Sequence, residues 1–144
     1  MLRFKIQRAQ MQDIKPMLEL WATTPGIQIG LGDDEDSIKA FLELDSTICL
    51  IIKAGDLLAG TVAATFDGRR GFIYHLAVRP EYQKQGIGKM LLDRIVVELQ
   101  KRNAKKINLF VRKDNLSAME FYSHQGWERR RDIQVYSLTV DDTN

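Results

Sequence analysis

Apolar residues change their period several times along this chain, and each change marks an element. Phe4 and Ile6, with Leu2 before them, alternate with polar neighbours as in an edge strand. Met11, Ile14, Leu18 and Trp21 then recur at helical spacing, with Asp13 placed to cap that helix and Pro16 within its first turn. Thr23 to Gly32 contains Pro25, Gly26, Gly30 and Gly32 and reads as a mobile loop. The acidic run Asp33 to Asp36 favours the start of a second helix carrying Ile38, Phe41 and Leu42.

Strand signals return at Thr47–Ala54, turn at Gly55-Asp56 and run back over Leu57–Phe66 as a hairpin. A second turn, Asp67 to Gly71, leads into Phe72–Val78. From Gly86 to about Arg102, Ile87, Leu91, Ile95 and Leu99 form one helical stripe, while Lys89, Asp93, Glu98 and Arg102 are spaced for i,i+4 pairing. Lys106–Arg112 predicts a further strand, Leu116–His124 a short helix ending near Gly126, and Trp127 to Val140 two last strands. The order predicts an α/β (α+β) fold with a mixed, mostly antiparallel sheet of about seven strands and helices on both faces. The fourth and fifth strands would be parallel across a helical crossover.

At 144 residues the chain is expected to form a single domain over 1–144 with a sizeable core. No apolar run approaches membrane-spanning length, and the N-terminus lacks the apolar stretch of a signal peptide. Cys49 is the one cysteine and lies in the apolar run Ile48–Ile52, which excludes an internal disulfide and predicts a buried, inert thiol. The cytoplasm is the expected compartment. A net charge of +2 is too small to indicate nucleic-acid binding, and Arg129–Arg131 reads as a solvated strand or turn.

The candidate chemistry lies in Tyr74–Lys89. Here a strand ends at Val78, a polar loop follows, and Gly86 and Gly88 open the long helix. A helix start presents unpaired N–H groups and the positive end of a dipole, and glycine lets a phosphate approach the backbone. A phosphorylated cofactor is therefore expected. Two common nucleotide motifs are excluded: a P-loop would need glycine where Gln83 stands and Ser or Thr where Met90 stands, and a dinucleotide fingerprint would need a small residue at Leu91.

What remains is Gln83-x-x-Gly86-x-Gly88 after a strand, followed downstream by Asn115-Leu-Ser-Ala118-Met-Glu-Phe121-Tyr122 and Gly126-Trp127. In these two blocks the chain resembles the GCN5-related N-acetyltransferases (GNAT). The resemblance implies acetyl-CoA as acyl donor. The phosphate loop would open at Gln83, and the N–H groups of Lys84, Gln85, Gly86, Ile87, Gly88 and Lys89 would cradle the pyrophosphate. It also implies that the pantetheine arm lies along Leu76, Ala77 and Val78, with the amide of Leu76 facing the thioester carbonyl as an oxyanion donor. Asn115 would contact the cofactor arm as well as cap the helix after it. Tyr122 would deliver a proton to the departing thiolate, a phenol near 10 serving a thiol of roughly 8.5.

The base is less clearly written. Family members often carry Glu or His on the fourth strand, but the matching positions hold Phe72 and Tyr74. His75 belongs to the residue type that titrates near neutrality, yet strand alternation turns it to the face opposite Tyr74 unless a bulge intervenes. Asp34 and Glu35 could reach an acceptor from the loop or simply start a helix, and His124 sits where a helix dipole favours it. One cysteine and two separated histidines make no metal site.

The implied reaction is direct attack of a primary amine, on a small molecule or on a protein or peptide. Acceptor contacts are expected from Thr23–Asp36, whose acids suit a cation, and Arg129–Tyr136, whose arginines suit an acid. In relatives the last strands often pair two subunits, which makes a homodimer an option. No membrane partner is expected. The alternative reading is a non-catalytic module that binds or senses acetyl-CoA, and a third is an adaptor working through Arg129–Arg131.

Overall fold

The computed structural model describes residues 4–27 and 29–140; Leu2, assigned above to the first strand, lies outside them. The chain divides into two compact units, residues 1–110 and 111–144.

The first unit contains β1 (Lys5–Arg8), α1 (Ile14–Thr23), α2 (Glu35–Glu43), β2 (Thr47–Ala54), β3 (Leu57–Phe66), β4 (Arg70–Val78), α3 (Ile87–Lys101) and β5 (Lys106–Leu109). The strands form one sheet in sequence order, antiparallel throughout except for the parallel β4–β5 pair. Strand alternation sorts the core into two layers. Cys49, Ile51 and Ala63 face one way and pack with Met17, Leu20 and Trp21 of α1 and Ile38 of α2. On the other face α3 lies directly on the backbone of two glycines. A Cβ on Gly60 would stand 3.0 Å from Leu91 Cδ1, and one on Gly71 would stand 2.9 Å from Leu99 Cδ1. These close approaches let the helix that begins at the phosphate loop seat against β3 and β4.

Local expectations are met with adjustments. Pro16 occupies the first turn of α1, but the Asp13 carboxylate does not cap that helix. It accepts the Gln10 N–H at 2.8 Å and pairs with Lys53 at 3.1 Å. The expected Lys89–Asp93 pair forms at 2.6 Å, whereas Glu98 takes Arg94 and Lys101 rather than Arg102. Arg102 instead donates to the carbonyl of Asp45 at 2.8 Å.

The strand count is corrected from about seven to five among the described residues, and β5 stops at Leu109 rather than Arg112. Residues 127–140 hold no strand. Ile133, Val135, Tyr136, Leu138 and Val140 have strand-forming side chains, but they are exposed and pair with no strand among the described residues. Strand propensity is realised only against a paired, half-buried neighbour.

The second unit is built around α4 (Leu116–His124). Asn115 caps it, accepting the Ala118 N–H at 3.1 Å, and the Tyr122 carbonyl accepts the Trp127 N–H at 3.0 Å as the chain turns at Gly126.

Candidate active site

The site in the first unit is organised by a break in the β3–β4 ladder. Thr61 pairs with Ala77 and Ala63 with Tyr74, so His75 and Leu76 together stand opposite Val62 alone. The extra residue is a β-bulge, and His75 takes the left-handed conformation with φ +50. This corrects the expectation from simple alternation. His75 does not face away from Tyr74: both turn toward the α1–α2 side. Tyr74 meets Phe41 of α2 edge-on at 6.5 Å, while the His75 ring lies 4.4 Å from that of Trp21 in α1. The bulge is tied down by a buried relay. Trp21 Nε1–H donates to Thr61 Oγ1 at 2.9 Å, and the Thr61 hydroxyl donates to the His75 carbonyl at 2.9 Å.

His75 Nε2 lies 3.0 Å from Asp33 Oδ1, and Asp33 Oδ2 accepts the Gly30 N–H at 3.0 Å. Asp33 thereby fastens the α1–α2 loop to the bulge. The sequence marks Asp33 as one of a run of acids, but nothing in its spacing singles it out. Its neighbour Asp34 is spent on helix capping, where the hydroxyl and N–H of Ser37 hold its carboxyl below the ordinary carboxylate range. Glu35 stands in the first turn of α2.

The same strand offers an open edge. The parallel β4–β5 pairing runs only from Arg70↔Lys106 to Ile73↔Leu109. From Tyr74 to Val78, β4 therefore has β3 on one side and no strand on the other among the described residues. Leu76, Ala77 and Val78 lie in this stretch, and an extended, amide-bearing ligand could complete it as an added strand.

The edge leads straight into the phosphate loop. Gln83 donates its side-chain amide to the carbonyl of Val78 at 3.0 Å, which latches loop to strand. Lys84 and Gly86 adopt positive φ, +63 and +83, and α3 starts at once. Among the described residues, no acceptor is present for the N–H groups of Lys84 through Lys89. Successive unpaired amides in this conformation make an anion-binding concavity, and the space where a Gly86 Cβ would stand is empty. Lys89 directs its ammonium to Asp93 and not into the loop. The residues present fit a bound pyrophosphate.

In the second unit, Tyr122 packs edge-on against Phe121 at 5.2 Å and Trp127 at 5.9 Å. Burial pushes its phenol up to about 12. Asn115 uses its Oδ1 on the helix cap. His124 closes the last turn of α4. Cys49 is buried 3.8 Å from the Met17 sulfur, and burial, with the Asp13 charge adding to it, pushes its thiol up to about 12. Among the described residues no three His, Cys, Asp or Glu side chains group as metal ligands would, and no helix is long and apolar enough to cross a membrane.

A Yersinia pestis (strain Pestoides F) protein named acetyltransferase is 28% identical over 138 residues, which is 96% of this chain and 97% of that protein. Among solved structures, a predicted acetyltransferase of Clostridium acetobutylicum with acetyl-CoA matches with a TM-score of 0.78 at 22% identity, covering 94% of this chain and 96% of that one. A PaiA N-acetyltransferase of Thermoplasma acidophilum in complex with coenzyme A matches with a TM-score of 0.77 at 17% identity, covering 86% and 89%. These likenesses show the fold. The sequence itself matches the Acetyltransferase (GNAT) family over residues 14–127, from the start of α1 through Trp127 and across both units. With the open β4 edge and its amide-lined loop, that match places the chain in the GNAT family of acetyl-CoA-dependent N-acetyltransferases.

Proposed function

We propose that this chain moves acetyl from acetyl-CoA to a primary amine, on a small molecule or on a protein or peptide, by direct attack. The observation that carries the reading is the open edge of β4 running into a loop of unpaired amides. The arm of acetyl-CoA would pair with Leu76, Ala77 and Val78, and the amides of Lys84–Lys89 would hold the pyrophosphate. The N–H of Leu76 would donate to the thioester oxygen as negative charge gathers there, a contribution of about 3 kcal/mol for a well-placed donor. No acyl-enzyme is needed. Cys49 is buried and its thiol is held protonated, so it is a poor nucleophile.

Tyr122 is proposed as the proton donor to the departing thiolate, with Asn115 offering its amide to the cofactor arm. A phenol pushed up to about 12 keeps its O–H through the assay range, but it is a weaker acid than the phenol near 10 expected from sequence, and transfer to a thiol of roughly 8.5 is uphill unless the bound cofactor lowers it. Tyr122→Phe should then lower kcat by about a hundredfold while leaving acetyl-CoA affinity intact. Equal turnover of mutant and wild type across pH would remove Tyr122 from this role. The proposal takes residues 1–144 as one acetyltransferase domain, in keeping with a family match that spans both units. A cytoplasmic location and a homodimer belong to the same reading.

The test is thiol release from acetyl-CoA over a panel of polyamines, lysine peptides and peptide α-amines. Release with at least one amine supports transfer. Binding of acetyl-CoA without release for any of them points instead to a module that senses or sequesters it.

A further inference from the structure

We infer that His75 and Asp33 form a proton-accepting dyad for the acceptor amine, with His75 as the base and Asp33 as its positioning residue. The inference rests on the acetyl transfer proposed above and names the group that transfer lacks, since Phe72 and Tyr74 offer no carboxylate.

Four observations converge on the imidazole. The bulge costs β4 a ladder position and places a residue with a side chain in the left-handed region, where histidine is one of the better tolerated types. The bulge carbonyl is fixed through Thr61 to Trp21, and the ring rests on the Trp21 indole, so both ends of the residue are held. Nε2 faces the Asp33 carboxylate at 3.0 Å, and that carboxylate is itself held by the Gly30 N–H. A carboxylate accepts only, so Nε2 carries the hydrogen, and the neutral ring presents its lone pair at Nδ1. Nδ1 has no hydrogen-bond partner among the described residues, and the His75 side chain keeps 19% of its surface exposed. Asp33 is the charged group paired with the ring; its other neighbours, Trp21 and Thr61, are uncharged.

Position in the chain supplies the rest. His75 is bonded to Leu76, so its Cα stands about 3.8 Å from that of the residue proposed to polarise the thioester. Nδ1 takes one proton from the acceptor ammonium, and the imidazolium is stabilised by Asp33. The freed amine nitrogen forms a bond to the acetyl carbon as the C–S bond breaks. A second proton leaves that nitrogen and one is delivered to the thiolate, so the products are the amide, the CoA thiol and one proton released to solvent. A loop latch alone would have no use for a free Nδ1.

His75→Asn is the informative variant, because asparagine also tolerates the left-handed backbone. It should lower kcat/KM for the amine by about a hundredfold, leave acetyl-CoA affinity unchanged and abolish the acid limb of the pH–rate profile. Hydroxylamine, which is neutral at the assay pH, should be acetylated by wild type and variant at much closer rates. Asp33→Asn should lower kcat/KM for the amine while leaving acetyl-CoA affinity unchanged, because an amide can turn its N–H to Nε2 and no longer fixes the hydrogen there. Long-range 1H–15N NMR of the wild type reads the tautomer without any turnover, and Nε2–H with an unprotonated Nδ1 is expected. An Nδ1–H tautomer, or an unchanged rate and acid limb in a folded His75→Asn protein, overturns the dyad. If His75→Asn does not fold, the wild-type tautomer and the Asp33→Asn rate with the amine decide. No thiol release by wild type with any amine overturns acetyl transfer itself, a failure distinct from that of the dyad.

Discussion

At the scale of single residues, burial makes a chemical statement through Cys49. Its thiol is pushed from an ordinary 9.0 up to about 12 in the fold, first by desolvation and then by the Asp13 charge. Below pH 9 the folded and unfolded chains both carry the proton and Cys49 adds no pH dependence. Above it the unfolded chain ionises first. Stability should then fall by about 1.4 kcal/mol per pH unit from this residue until the folded thiol titrates. Tyr122 has the same sign, beginning near its ordinary 10.0. Urea unfolding between pH 8 and about 10.5 should show that slope flattened in Cys49→Ala. An identical slope in the variant would mean that the thiol is not the titrating group. That Cys49 is buried was legible from its apolar neighbours. The partner of His75 was not, because Asp33 lies 42 residues away and only the tertiary fold brings it to the ring.

Elements differ in how much of themselves they carry locally. The helical stripes of α1 and α3 and the β2–β3 hairpin are written in periods of a few residues, and they formed where those periods run. The bulge in β4 is not a property of β4. Its sequence has no glycine from Phe72 to Val78 to mark the place, and the extra residue exists only in the register against β3, where Val62 stands opposite two residues. The last segment makes the same point in reverse, since residues 127–140 include strand-forming side chains but pair with no strand among the described residues. The phosphate loop was legible because its function is backbone chemistry, and Gly86 announces the backbone conformation directly. The bulge depends instead on Thr61, whose hydroxyl is fully buried between Trp21 and the His75 carbonyl. Thr61→Val leaves that N–H and that carbonyl without their partner and should cost about 1–3 kcal/mol. Thr61→Ser should restore most of it, and urea midpoints for the three proteins test the difference. Equal midpoints for Val and wild type would show that the relay does not hold the bulge.

At the scale of the whole molecule, the segment after α4 carries a series of exposed apolar side chains. Val135 is 64% exposed, Leu138 86% and Val140 88%, so three aliphatic side chains within six residues face solvent. Isolated exposed aliphatics are ordinary, but several within one short segment are the usual mark of an interaction surface. No main-chain hydrogen bond satisfies this stretch among the described residues. The same segment in a second copy of the chain is a self-complementary partner. Antiparallel pairing across a two-fold axis would satisfy both backbones and cover the same side chains twice. Arg130, whose guanidinium is engaged by Asp132 at 2.8 Å, stands at the polar start of the segment, where it would meet the rim of such a contact. Sedimentation velocity should therefore find the wild-type protein as a concentration-dependent dimer. Replacing Val135 and Leu138 together with glutamate, which sets like charges against each other across the axis, should leave a monomer with an unchanged thermal midpoint for the first unit's sheet. A wild-type chain that stays monomeric at the highest attainable concentration would reject the pairing. A variant that still dimerises would place the contact elsewhere on the surface.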